Sequence, residues 1–271
     1  GLKYPDVGFI HDKGLGGMPY NPGTDNVNGV NRNSADVLIP AFLAAYTGKD
    51  PKKVGLTAFP SLKSMLPNWR VTYDGLIKIP AVKKYFKSLT LSHQYRCSYS
   101  VGAFTSFLNW VDAGQDGLGY IQSILNDNPT PSSPYSISSV SLTEAFSPLL
   151  GADATLLNNV TVRADYSTTR NLSLNTTSYQ LEALSNKYTI GLGYKFAEFN
   201  KILKMKKTRD FSNDLTVRLD FSFNKMQSLI RKIDTQLTQA TSGNIAKTIS
   251  FSADYGLSRA LTVRAFYDIQ I

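Results

Sequence analysis

The chain has 271 residues, with 29 Lys and Arg against 20 Asp and Glu, a formal charge of +9 and only 18% charged residues. A single cysteine, Cys97, excludes an intrachain disulfide and any cysteine-based metal cluster. The two histidines, His11 and His93, stand in no His-Glu-x-x-His spacing and no Gly-x-Ser-x-Gly elbow occurs, so no catalytic, cofactor-binding or metal-ligating residue is assigned and no enzyme activity is expected.

The sequence opens Gly1-Leu2-Lys3 without an apolar leader, so any export signal is expected upstream and the chain is expected to be a piece of a longer protein. Residues 1–68 are rich in Gly, Pro and Asn and predict an irregular loop region. Gly14-Leu15-Gly16-Gly17 lacks the spacing of a dinucleotide fingerprint and reads as loop. Within this region Ala35 to Tyr46 predicts a short helix, entered through Ser34 or Asp36 and ended by Gly48 and Pro51. Val37 to Tyr46 is the most apolar stretch, but it contains Pro40 and falls well short of the roughly 20 residues of a membrane-spanning helix.

From Trp69 onward, residues 69–271, the pattern changes to period-two alternation, the mark of strands with one apolar and one polar face. The predicted strands are Trp69 to Ile79, Ser88 to Phe107, Ser138 to Leu157, and those centred on Val160–Tyr166, Tyr188–Phe196, Leu215–Phe223, Ile249–Tyr255 and Leu261–Ile269. In Asn213 to Arg231, Leu215, Val217, Leu219, Phe221 and Phe223 share one face and Thr216, Arg218, Asp220, Ser222 and Asn224 the other. The apolar phase gives way to charge after about ten residues, at Lys225, at Arg170 and at Glu144. That is the length of a tilted transmembrane strand, about 9–11 residues.

The fold class read from this pattern is all-β: about eight long antiparallel strands forming a transmembrane wall segment of a much larger outer-membrane barrel, preceded by the irregular region. Leu215, Val217, Leu219, Phe221, Phe223, Tyr188, Ile190, Leu192 and Tyr194 are expected to face lipid. Arg163, Asp165, Lys195, Arg218, Asp220, Asp254, Arg264 and Asp268 are expected to line a hydrated lumen, since a narrow barrel would force them to pair or fill its interior. The connections at Asn158-Asn159, Leu257 to Ala260, Pro80 to Lys87 and Glu198 to Ser212 fall on one side, taken as periplasmic. Those at Val111 to Tyr135, Thr176 to Ser178 and Lys232 to Ile245 fall on the other. The basic run with Lys201, Lys204, Lys206, Lys207 and Arg209 could meet an acidic partner or anionic headgroups, although a solvated turn is the plainer reading, and nucleic acid is not expected as a partner. A soluble adhesin sheet would show similar alternation, and a small-solute porin or uptake barrel would share the membrane pattern.

Several segments together resemble the C-terminal part of the SprA/Sov outer-membrane translocon family of the bacterial type IX secretion system. They are Ala35-Asp36-Val37-Leu38-Ile39-Pro40-Ala41-Phe42 with Tyr46-Thr47-Gly48-Lys49-Asp50-Pro51, then Leu66-Pro67-Asn68-Trp69-Arg70-Val71-Thr72-Tyr73, and Leu91-Ser92-His93-Gln94-Tyr95-Arg96. Phe146-Ser147-Pro148-Leu149-Leu150-Gly151 and Asn213-Asp214-Leu215 with Arg231-Lys232-Ile233 extend the likeness, which covers residues 34–271. The resemblance implies a very large barrel that exports folded cargo proteins. It also implies, as partners, outer-membrane lipid, the remaining segments of the same barrel, a smaller partner barrel at a lateral opening, a periplasmic plug protein and the secreted cargo.

Overall fold

A computed structural model describes residues 35–49, 67–115, 118–121, 130–175, 179–197, 214–232, 237–257 and 261–271, with 20, 21, 26, 27, 199 and 235 besides. Its centre is one eight-stranded antiparallel sheet. Two-residue strands β1 (Tyr20–Asn21) and β2 (Asn26–Val27) pair apart from it. The sheet is built from β3 (Trp69–Tyr73), β4 (Phe86–Val101), β10 (Ser139–Leu156), β11 (Val160–Asn175), β12 (Tyr179–Phe196), β13 (Leu215–Lys232), β14 (Thr238–Gly256) and β15 (Thr262–Gln270). Spatial order follows chain order from β3 at one edge to β15 at the other, and the two edge strands do not pair. All eight predicted strands are present, and the sheet is open.

Four boundaries differ from the sequence reading. The strand expected to reach Ile79 ends at Tyr73, because Asp74-Gly75 turns the chain into a 3-10 turn (Gly75–Lys78) and Pro80 starts the short helix α2 (Pro80–Lys83). The strand expected to run to Phe107 ends at Val101, and a Gly102 backbone bond to the Ser139 carbonyl closes the ladder. The segment Val111 to Tyr135, read as loop, holds β6 (Trp110–Gln115), β7 (Leu118–Ile121) and β8 (Thr130–Ser132) in one small sheet. They are bracketed by β5 (Phe104–Ser106) paired with β9 (Tyr135–Ile137). The loop expected over Lys232 to Ile245 is instead mostly strand, since β14 begins at Thr238.

That last difference has a simple cause. Thr238 to Asn244 carries almost no apolar side chain, so its alternation is invisible, yet it supplies the ladder partners that the upper half of β13 needs. One surplus residue sits in β14 where Ser228 pairs Ser242 but Leu229 pairs Ala240; the Thr241 hydroxyl donates to the Ser228 carbonyl there. A larger irregularity lies in β10: Phe146 pairs Thr168 and Leu150 pairs Tyr166, so four steps of β10 oppose two of β11. Pro148, without a backbone donor, falls inside that stretch.

The predicted helix forms as α1 (Ala35–Thr47). Its end is a Schellman closure: Gly48 takes φ 65° and the Lys49 N–H donates to the Ala44 carbonyl at 3.1 Å. Pro40, in its interior, removes one backbone donor, and the helix persists because eight successive residues, Val37 to Ala44, are buried. α1 packs on β4, β10 and β11 through Leu38, Ile39, Phe42 and Leu43 against Tyr95, Cys97, Val140, Leu142, Leu172 and Leu174, the main apolar core. The Glu144 carboxylate beneath it accepts from the Tyr46 hydroxyl at 2.9 Å and the Tyr95 hydroxyl at 3.0 Å. Burial pushes the Tyr99 phenol up to about 12 and raises that of Tyr46 as well, so both stay neutral.

Candidate functional site: two opposed faces of one sheet

The registers sort side chains by face. On one face the rows run Ala164–Ile190–Phe221–Ile249–Ile269, then Val162–Leu192–Leu219–Phe251–Tyr267, then Val160–Tyr194–Val217–Ala253–Ala265. Leu215, Val217, Leu219, Phe221, Phe223, Tyr188, Ile190, Leu192 and Tyr194 all share this face. Many of these side chains are open: Ile190 is 56% exposed, Leu192 50% and Leu219 46%. Small residues Ala152 and Ala164 indent the band beside Leu91 and Ile190, leaving an apolar groove of about 560 Å³.

Aromatic side chains border this band at both ends. Above it Trp69 stacks on Tyr95 at 4.4 Å, Tyr95 meets Phe146 at 4.9 Å, Tyr166 stacks on Tyr188 at 4.6 Å and Phe223 lies 6.3 Å further on. Below it Tyr194 meets Phe196 edge-on at 4.5 Å, with Phe199 at 6.0 Å and Tyr255 5.9 Å beyond. Tyr188 to Phe196 covers about nine residues of β12, about 26 Å along the strand at roughly 3.3 Å per residue. One step above the upper aromatic row the same face turns polar at Thr168, Asn186 and Lys225. The strands continue above that line, for β12 spans 18 residues and β14 19.

On the opposite face the registers bring together Arg163, Asp165, Lys195, Arg218, Asp220, Asp254, Arg264 and Asp268. One row reads Asp153–Arg163–Gly191–Asp220–Ser250–Asp268. Arg163 Nε pairs with Asp165 Oδ2 and lies 3.9 Å from Asp153. Arg264 forks onto Asp254 at 2.5 and 3.0 Å, and Lys195 Nζ lies 2.7 Å from Asp214. These pairs are largely exposed, so each contributes little to stability, about 0–1 kcal/mol, and what they provide is a hydrated surface of both signs. A shallow polar dish of about 390 Å³ opens among Thr90, Asp153, Arg163, Arg218 and Asp220. At Gly191 in its lining a Cβ would meet the Asp220 carboxylate, which would have to swing aside. Phe266, 71% exposed, is the one large apolar side chain of β15 on this charged face.

The dish, Asp153 and the two aromatic borders were not singled out from the sequence, although their alternation phase carried the signal. The basic residues Lys201, Lys204, Lys206, Lys207 and Arg209 lie outside the described residues. Among the described residues no three His, Cys, Asp or Glu side chains cluster as metal ligands, and no helix is long and apolar enough to cross a membrane. No protein-family model matches the chain, and no curated protein matches it.

Proposed function

We propose that this sheet is a wall segment of a large outer-membrane barrel that conducts proteins outward, as the resemblance to the SprA/Sov translocon family implies. The single observation that carries the membrane reading is the exposed apolar band, about nine residues along the strand, bordered by aromatic rows at both ends and backed by a charged face. A tilted transmembrane strand needs about 9–11 residues. Outer-membrane barrels carry an apolar band about 25 Å tall between two aromatic girdles. Monomeric soluble proteins rarely expose apolar patches above a few hundred Å².

The charged face then lines the passage. Arg163, Arg218, Asp220 and Arg264 need water beside them, which a closed eight-stranded barrel would not provide because its interior only admits side chains. An open sheet whose edges continue into further strands of the same barrel resolves this. Lipid and passing cargo are the partners of the two faces, and a smaller barrel and a periplasmic plug are further partners by family resemblance. The chemistry is passive.

The membrane step is tested by extraction: the protein should stay in the outer-membrane fraction and require detergent, and full solubility in buffer would favour the adhesin reading. The export step is tested separately by depletion. Secreted proteins should accumulate in the periplasm while small-solute uptake continues, and the converse result would assign a porin.

A further inference from the structure

On the face that carries the apolar band, above the upper aromatic row and beside α1, the sheet holds a second cavity of about 400 Å³. Its walls are Phe42, Tyr46, Glu144, Arg170, Gln180 and Arg231. Gln180 is only 4% exposed, and its side-chain oxygen has no hydrogen-bond partner. A buried acceptor without a donor is costly, roughly 1–3 kcal/mol, and invites an explanation. Both arginines are already engaged on the buried Glu182: Arg170 Nε donates to Oε1 at 2.8 Å and Arg231 Nη2 to Oε2 at 3.2 Å. Each guanidinium keeps further N–H groups for a ligand, since it carries five.

The balance of charges restricts what could fit. A simple anion would meet Glu144 and Glu182 and could not donate to Gln180, whereas a simple cation would meet Arg170 and Arg231. The occupant must be close to neutral and must donate and accept at neighbouring points. A hydroxyl does both. A peptide unit also does both, but it brings one donor and one acceptor per residue, too sparse for five polar side chains around so small a space. Phe42 adds an apolar side chain to the lining, suited to the carbon face of a ring.

We propose that this cavity binds a saccharide, with vicinal hydroxyls accepting from Arg170 and Arg231 and the Gln180 carbonyl, shielded from the empty cavity, turning to accept from a hydroxyl as the sugar seats. The sugar could be free or could be the headgroup of a glycolipid, and the cavity's height just beyond the band suits either. The free-sugar part of the proposal needs no membrane, so its failure would leave the barrel reading standing, and the reverse holds as well.

The test uses the intact protein in detergent, with glucose, mannose and galactose as probes in saturation-transfer NMR and purified lipopolysaccharide as competitor. At least one hexose should bind in the millimolar range. Displacement by lipopolysaccharide at tenfold or more lower sugar concentration would assign a headgroup, and equal potency a free saccharide. Gln180→Leu removes the unpaired oxygen at similar volume and should fold at least as well as the native protein, while weakening hexose binding about tenfold or more. Lack of binding by all three hexoses and lipopolysaccharide would overturn the proposal. So would unchanged binding in Gln180→Leu, or stronger displacement by inorganic phosphate or N-acetyl-glycyl-glycinamide than by any sugar.

Discussion

Leu219 sits at mid-height of the apolar band, between Leu192 and Phe251, and is 46% exposed. If the band meets lipid, Leu219→Arg should cost about 2–4 kcal/mol at the bilayer midplane and deplete the protein from heat-modifiable, membrane-assembled material. Ser222→Arg, on the charged face of the same strand, should assemble normally. Equal assembly of the two variants would remove the lipid-facing assignment. A second residue-scale expectation concerns Asp36 in the first turn of α1, whose carboxyl is raised by burial despite hydrogen bonds from Ser133. An acid whose folded value lies above its unfolded one burdens the docked state when ionised. That burden is full above the folded value and fades as pH falls from there to the unfolded one. Protection of α1 amides from hydrogen exchange, corrected for intrinsic rates, should therefore rise on mild acidification, and Asp36→Asn should show the higher protection already at pH 7. A profile that declines with acid would contradict this.

Among the elements, α1 is held on the sheet by apolar contacts. Leu38 is 1% exposed in its core, so Leu38→Ala should cost about 2–5 kcal/mol of docking. Proteolysis within residues 35–47 should accelerate while the strands still assemble. The meander itself fixes which connections share a side. In a Cys97→Ser background, a cysteine at Leu108 should react with an impermeant reagent in intact cells, and one at Asn158 only after permeabilisation. The reverse pattern would invert the proposed orientation. Much of this was legible beforehand: Gly48 ends the helix as expected, and Leu215 to Phe223 announces its strand. The docking of α1 on the same face as the apolar band was not, because it depends on which residues lie opposite in the folded sheet. Gln180 and Glu182 lie in phase with Tyr188 and Ile190, so polar groups on an apolar phase were the available hint to the cavity. The small strands β5 to β9 are three to six residues each, too short for periodicity to register.

At the scale of the whole molecule the decisive feature is that β3 and β15 each have one neighbouring strand among the described residues. Every residue of β3 and of β15 is exposed. Within lipid each unpaired backbone group would cost several kcal/mol, so both edges call for further strands. Paired cysteines at Val71 and Ile269, again without Cys97, should not form an intrachain disulfide in the assembled protein, and a photoreactive side chain at Tyr267 should capture another strand. A disulfide in good yield would instead describe a small closed barrel with a filled interior, and the conduit reading would fail.

The irregularity in β10 bears on how this wall can change over time. Between Phe146 and Leu150 the strand carries two surplus residues against β11, and between Phe146 and Gly151 the same two against β4. Two is an even number, so the parity of the strand is conserved across the insertion and Ala152 and Ala154 still fall on the apolar side. The surplus is therefore absorbed locally, with the registers on either side of it unbroken. Deleting Pro148 and Leu149 together would leave a regular ladder with every side chain on its original face. Deleting Leu149 alone would leave one surplus residue, the count that β14 already carries at Thr241 with both flanking registers intact. Length changes at this position should accordingly be taken up in the bulge, one residue or two, while Asp153 and Ala154 keep their faces, and both deletion variants should still assemble.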